Sequence, residues 1–298
     1  MNCISKKQAY ICLLLTFVLW GSLYVASQVV VREFPTFTVC FIRFLLAWLF
    51  LTFLSHVKRN SDKPVFHPDR TCQKYIWILG FFGYTISVGM QLMGTKLAGS
   101  TTASLINSIN PVVITLLAAL ILKEKLTPNK IAGILLAVLG VYLIIGSDIH
   151  MDPIGTMLSI AAVIGWSLTS VISRTALSKY DSLQITRHAI GIAVLCNFPI
   201  CLIELILTGM PASSSLASVI CLLYMGSCCT GLTYILWNNS LAVLPASTCS
   251  SFYPIQPLTS ALLGVVLFQE KLTAAFLTGA LFIVVGVLTS LMNVKLHR

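Results

Sequence analysis

Apolar runs of about twenty residues, separated by short polar stretches, recur along the whole chain. They predict membrane-spanning helices, because a span needs roughly 20 predominantly apolar residues to cross the hydrocarbon core. Such runs can be laid at 9–31, 35–57, 74–96, 100–122, 128–147, 153–174, 184–208, 214–238, 245–268 and 274–294. The longest polar segment between them, Lys58 to Lys74, is too short for a further soluble domain. The first run exceeds the 7–15 apolar residues of a secretory leader and no clear small-residue cleavage site follows it, so it reads as the first span.

Two stretches are nearly the same. INPVVITLLAALILKEKLT (Ile109 to Thr127) and IQPLTSALLGVVLFQEKLT (Ile255 to Thr273) agree at eight of nineteen positions without a gap. Pro111 and Pro257, Glu124 and Glu270, and Thr127 and Thr273 are each 146 apart, and Gly133 and Gly140 answer Gly279 and Gly286 at the same offset. Trp20-Gly-Ser-Leu corresponds to Gly165-Trp-Ser-Leu, and Arg43 and Arg187 fall in similar places at an offset of 144. Two related halves are expected, 1–147 and 153–298. Each holds five spans, an odd number, so the second half is inverted relative to the first. In carriers of that design the substrate site lies near the midplane where the halves meet.

A proline within a helix removes a backbone donor and clashes with the preceding turn. Pro111 and Pro257 are therefore expected to kink the fourth and ninth spans, freeing the carbonyls of Asn107 and Tyr253. Lipid cannot satisfy such groups, which are tolerated facing protein or a watery cavity. The neighbouring Ser104, Asn107, Asn110, Ser250, Tyr253 and Gln256 suggest a cavity; kinks that only shape the packing are the plainer alternative. The closing KEKLT reads as a tight interfacial turn, with Thr127 as N-cap and Pro128 as first helical residue. Glu124 and Glu270 would mark the ends of their spans.

Composition agrees with a bilayer setting. Hydrophobic residues make up 57% and charged residues 9% of the 298, with a mean hydropathy of +0.92, whereas soluble domains carry about a quarter charged residues. The net charge of +10 is not gathered on one face, as nucleic-acid binding would need, but collects in alternate loops. Lys6 and Lys7, the Lys58–Lys74 loop, Lys123 to Lys130, Arg174 to Arg187 and the C-terminal Lys295 and Arg298 share one side, leaving Arg32, Lys96 and Lys271 on the other. By the positive-inside rule both termini lie in the cytoplasm. Most of the ten cysteines are scattered inside apolar segments without CxxC pairs, so they read as small packing residues. No cofactor or metal site is expected.

Ten short-looped spans in two inverted halves, with E-K-L-T turns, an early tryptophan in each half and the segment TKLAGSTTASLINSINP, resemble the EamA family of the drug/metabolite transporter superfamily. The resemblance covers almost the whole chain. It implies an all-α integral membrane protein whose ten helices surround a central cavity lined mainly by the first, third, fourth, sixth, eighth and ninth spans. The glycine pairs seven apart would let the fifth and tenth helices approach a neighbour closely.

Polar and aromatic residues on the cavity spans are the candidates for substrate contact: Trp20, Tyr24, Gln28, Tyr84, Gln91, Trp166, Ser170, Tyr234 and Asn238, beside those flanking the prolines. Intramembrane charge is costly, roughly 2.5–3.5 kcal/mol at a helix centre on insertion scales. Arg43 and Arg187 are read as gating or structural charges in preference to anion binding. Glu204 is the only carboxylate within a span, and it falls outside the expected cavity helices, so no buried proton relay is visible.

These features point to a secondary transporter of the cytoplasmic membrane, moving a small neutral or zwitterionic metabolite such as an amino acid, in the efflux direction that the resemblance implies. A membrane receptor or assembly factor binding in the same cavity is the alternative. An enzyme is disfavoured, because no HExxH, GxSxG or nucleotide-binding loop occurs. The partners expected are the substrate and the lipid bilayer, with no nucleic acid; whether two copies associate is left open.

Overall fold

The apolar runs fold as helices. The computed structural model describes residues 4–31, 33–57, 67–145, 152–209, 215–268 and 274–292, and no strand occurs among them. The side chains of Tyr24, Gln28 and Ser104, and Glu270 and Thr273 altogether, lie outside the described part.

Helix α1 (Lys6–Val30) opens on a capping box in which Ser5 and Gln8 exchange side-chain and backbone bonds. Its 25 residues reach about 37 Å at 1.5 Å each, enough to cross a hydrocarbon core. Helices α2 (Thr36–Val57), α7 (Pro153–Leu177) and α8 (Ser182–Thr208) are likewise continuous. Two more long helices change pitch on the way. One joins α3 (Arg70–Trp77) through a π-helical stretch, Ile78–Ser87, to α4 (Val88–Asn107). The other joins α9 (Leu216–Gly226) through π-helical Ser227–Leu232 to α10 (Thr233–Val243). Among the described residues six helices are thus long and apolar enough to cross a membrane by themselves.

The fourth and ninth runs are interrupted. After α4, Ser108 and Ile109 turn before α5 (Asn110–Leu122); after α11 (Ala246–Ser250), the turn Ser251–Pro254 leads into α12 (Ile255–Phe268). Pro111 and Pro257 lie in the first turn of new helices, so the expected kink within a continuous span is corrected to a break ahead of each proline. A residue without an N–H fits there, where that donor would have no intrahelical partner. The carbonyls expected to be orphaned are satisfied locally: Asn110 Nδ2 donates to Asn107 at 2.9 Å and the Gln256 N–H to Tyr253 at 3.0 Å. The span boundary expected at 97–99 is also corrected, since α4 stays helical through it.

Helix α6 (Pro128–Ile145) begins as its sequence predicts, with the Thr127 hydroxyl accepting from the Lys130 N–H. It packs antiparallel on α13 (Ala274–Leu291). A Cβ built on Gly133 would stand 2.4 Å from the Gly286 carbonyl oxygen, and one on Gly140 would stand 2.6 Å from that of Gly279. No residue larger than glycine fits this approach without moving backbone.

The contacts carry a two-fold relation between the halves. Exchanging each residue for its counterpart 146 positions away turns the Gly133–Gly286 contact into Gly279–Gly140. It also turns Gly80 against the Ala189 carbonyl into Gly226 against the Arg43 carbonyl, both of which are found. Gly80 and Gly226 lie at or just before the π-helical stretches, which fall in corresponding places of the two halves. Arg43 therefore corresponds to Ala189 and not to Arg187, which corrects the pairing read from the sequence at an offset of 144.

Candidate functional site

Where the halves meet, Trp20 of α1 and Trp166 of α7, counterparts 146 apart, stand edge to face with ring centroids 5.9 Å apart. Phe17, Tyr84, Tyr234, Trp237 and Tyr253 surround them, with centroid separations that suit aromatic pairs. Trp166 Nε1 donates to the Tyr253 hydroxyl. On one side of this cluster the interior is closed by Phe17, Trp237 and Leu241, all buried. On the other it opens into a cavity of about 150 Å³ that extends to Val31 at the end of α1 and Thr36 at the start of α2.

Of the residues expected to meet substrate, Trp20, Gln91, Asn107, Asn110, Trp166, Tyr234, Tyr253 and Gln256 line this cavity, together with Arg43. The remaining described candidates are elsewhere. Tyr84 and Asn238 are buried behind the wall, where Asn238 Nδ2 donates to Thr186 at 2.7 Å. Ser170 bonds back to the Trp166 carbonyl, and Ser250 to that of Ser247. Arg187 lies against His188. The break residues participate through their amides: Asn110 Oδ1 accepts from Ser167 while its Nδ2 holds Asn107.

Helix α2 is an addition to the wall. Thr36, Val39, Cys40 and Arg43 line the cavity at i, i+3, i+4 and i+7, a single helical stripe. The resemblance implied a wall made mainly of the first, third, fourth, sixth, eighth and ninth spans, without the second. The stripe was the available signal. Ser27 and Thr95 were likewise passed over.

Three charged groups at helix ends, Glu204, Glu124 and Glu33, tie the halves together, and a fourth, Arg174, ties two helices of the second half. Both oxygens of Glu204 in α8 serve the N-terminus of α2, accepting from the Phe37 N–H at 3.1 Å and from the Thr38 N–H and hydroxyl at 2.7 and 3.0 Å. Glu124, after α5, does the same for α11, accepting from Ala246 N–H at 2.8 Å and from Ser247 N–H and hydroxyl. Arg174 of α7 donates to the carbonyls of Leu241 and Ala242 that end α10. Glu33, in the turn between α1 and α2, accepts from the Ser215 N–H at the start of α9. That bond, with the Ser218 and Ser215 hydroxyls, holds its carboxyl below the ordinary glutamate range against a small opposing effect of burial.

Six helices long and apolar enough to cross a membrane, enclosing a cavity bounded by two broken helices, are the architecture of a multi-pass membrane protein. The chain belongs to the EamA-like transporter family, whose model matches it twice, over residues 7–146 and 153–292. Similar proteins include an "Uncharacterized transporter" of Archaeoglobus fulgidus, 24% identical over 95% of this chain and 96% of the relative. A "Probable amino-acid metabolite efflux pump" of Salmonella typhimurium is 24% identical over 99% of this chain and 98% of its own length. A solved crystal structure, 20% identical, superposes with a TM-score of 0.79 over 96% of this chain and 97% of that one, which establishes the shared fold.

Proposed function

We propose that the protein is a ten-span carrier of the cytoplasmic membrane, with both termini inside, that exports small neutral or zwitterionic metabolites such as amino acids by alternating access. The observation that carries the reading is the cavity itself, enclosed by residues of both halves and bordered by both helix breaks, Asn107–Asn110 and Tyr253–Gln256. Backbone interrupted at membrane depth is tolerated where it lines such a space. Its volume of about 150 Å³ is below the roughly 300–1,000 Å³ of sites for drug-sized ligands, which favours a small metabolite.

With the termini inside, the ends of α1 and α2 at Val31 and Thr36 face outward. In this reading the cavity opens outward, the aromatic cluster and the Glu124 and Arg174 ties close the inner side, and the two related halves, 1–147 and 153–298, rock to exchange the opening. The substrate residues are the wall side chains Trp20, Gln91, Asn107, Asn110, Trp166, Tyr234, Tyr253 and Gln256. The name of the Salmonella typhimurium relative supports amino-acid efflux as the class of activity.

The test is counterflow in proteoliposomes loaded with pooled amino acids, following entry of labelled ones. Accumulation that is lost in Trp166→Ala and Asn107→Ala, with the variants still reconstituted, is the expected result. No accumulation of any amino acid by well-folded protein would sink the substrate class.

A further inference from the structure

Among the described residues lining the cavity there is one ionised side chain, Arg43, and no carboxylate. Arg43 is 8% exposed, and its Nε is buried without a hydrogen-bond partner. The guanidinium carbon stands 5.4 Å from the Phe44 ring centroid, and the group lies beside the Tyr234 hydroxyl. Neither neighbour is an anion. Glu204 sits at the N-terminal end of α2, about one and a half turns before Arg43, and both its oxygens are occupied by Phe37 and Thr38. The corresponding position in the other half is Ala189, fully buried, so the packing of these two helices against the opposite π-helical stretches does not itself require a cation.

A buried cation without a counter-charge is costly, and in a membrane such a residue marks a pathway or a ligand. Arginine differs from a point charge in offering Nε–H and a terminal N–H side by side, the fork that takes both oxygens of a carboxylate. The unpartnered Nε is half of that fork. It is covered by neighbours in this structure, so bidentate engagement requires the guanidinium to turn toward the cavity.

We propose that Arg43 seats the carboxylate of the transported molecule, so that the cavity takes small monocarboxylates, amino acids among them, in preference to the matching amides and amines. The proposal rests on the carrier reading only in taking this cavity as the solute site. An ammonium group, where the solute has one, meets the aromatic wall of Trp20, Trp166 and Tyr234 and no acid among the described lining residues.

The experiment measures binding without transport. Because Trp20 and Trp166 line the cavity, intrinsic tryptophan fluorescence of the full-length detergent-purified protein is titrated with L-leucine, 4-methylpentanoate, L-leucinamide, isoamylamine and sodium chloride. Leucine and the carboxylate are expected to bind at least tenfold more tightly than the amide and the amine. In Arg43→Gln that ratio should fall toward one, and Arg43→Lys, which keeps the charge but not the fork, should be intermediate. The parent comparison needs no variant to fold, and the ratio within a variant is insensitive to a general loss of packing. Equal binding of carboxylate and amide by the parent, an unchanged ratio in folded Arg43→Gln, chloride matching the carboxylate, or no response to any probe would each overturn the proposal. Carboxylate-selective binding with no counterflow would instead remove the carrier reading and leave Arg43 as a carboxylate site.

Discussion

In the seam of α6 and α13 a residue and its counterpart 146 positions on do the same work. Gly133 lies on Gly286 as Gly279 lies on Gly140, and neither side has room for a methyl group. In the cavity many counterparts diverge: Arg43 answers Ala189, Gln91 answers Trp237, and Asn107 answers Tyr253, while Trp20 and Trp166 stay identical and Asn110 and Gln256 stay amides. The difference has a physical cause. A two-fold seam meets itself, so a side chain added to one helix strikes the other helix's backbone. A site for a small solute meets something that lacks that symmetry, and a charge needed once is wasteful in a second copy.

The largest effect is expected from Gly133→Val, because the added atoms fall 2.4 Å from the Gly286 carbonyl oxygen and 2.5 Å from the Ser290 nitrogen, both backbone. Overpacking of this kind costs about 1–3 kcal/mol or more. Size-exclusion profiles and melting temperature should show a loss of folded protein, and a normal melt would mean that the seam opens freely. Glu124→Gln comes next. Removing the charge that serves Ala246 and Ser247 at the head of α11 should cost about 1.5–3 kcal/mol, as hydrogen bonds to charged groups do, read again by melting temperature.

The cavity wall should behave in the opposite way. Gln91→Ala removes a half-buried amide with space beside it, so the melt should stay within about 0.5 kcal/mol of the parent. Flux of a carried solute should nonetheless fall about two- to tenfold, the effect of one lost hydrogen bond. An unstable Gln91→Ala with normal flux would erase the contrast between wall and seam. The smallest effect is assigned to Glu33→Gln. A carboxyl held low by folding contributes stability above its ordinary titration range and loses it as pH falls through the depressed value. The variant should melt slightly below the parent at neutral pH and converge with it in acid, a difference measured by melting temperature against pH.

Much of the wall was legible in the chain, and for one reason. Trp20, Gln91, Asn107 and Gln256 are polar or amphipathic in runs otherwise filled by Leu, Val and Ile, so each stands out where lipid would exclude it. Polarity in the chain does not tell a side chain that meets the cavity from one that is taken by a protein partner. Asn238 and Ser170 look equally out of place, yet the Asn238 Nδ2 is taken by Thr186 and the Ser170 hydroxyl by the preceding helical turn. Glu204 and Glu124 carry the same charge and differ in no local feature that announces which helix end each will cap.

By itself the sequence determined that the chain belongs in a bilayer, that one pattern recurs in it at an offset of 146, and where glycine and proline set limits, because hydropathy and backbone restriction act over a few residues. It marked the breaks within a turn of their positions. Only the tertiary structure decided that the prolines begin new helices, that α6 and α13 choose each other, and that the stripe of α2 carrying Arg43 faces the cavity while Arg187 does not. These are matters of which surfaces meet, fixed by shape and by hydrogen-bond partners more than a hundred residues away along the chain.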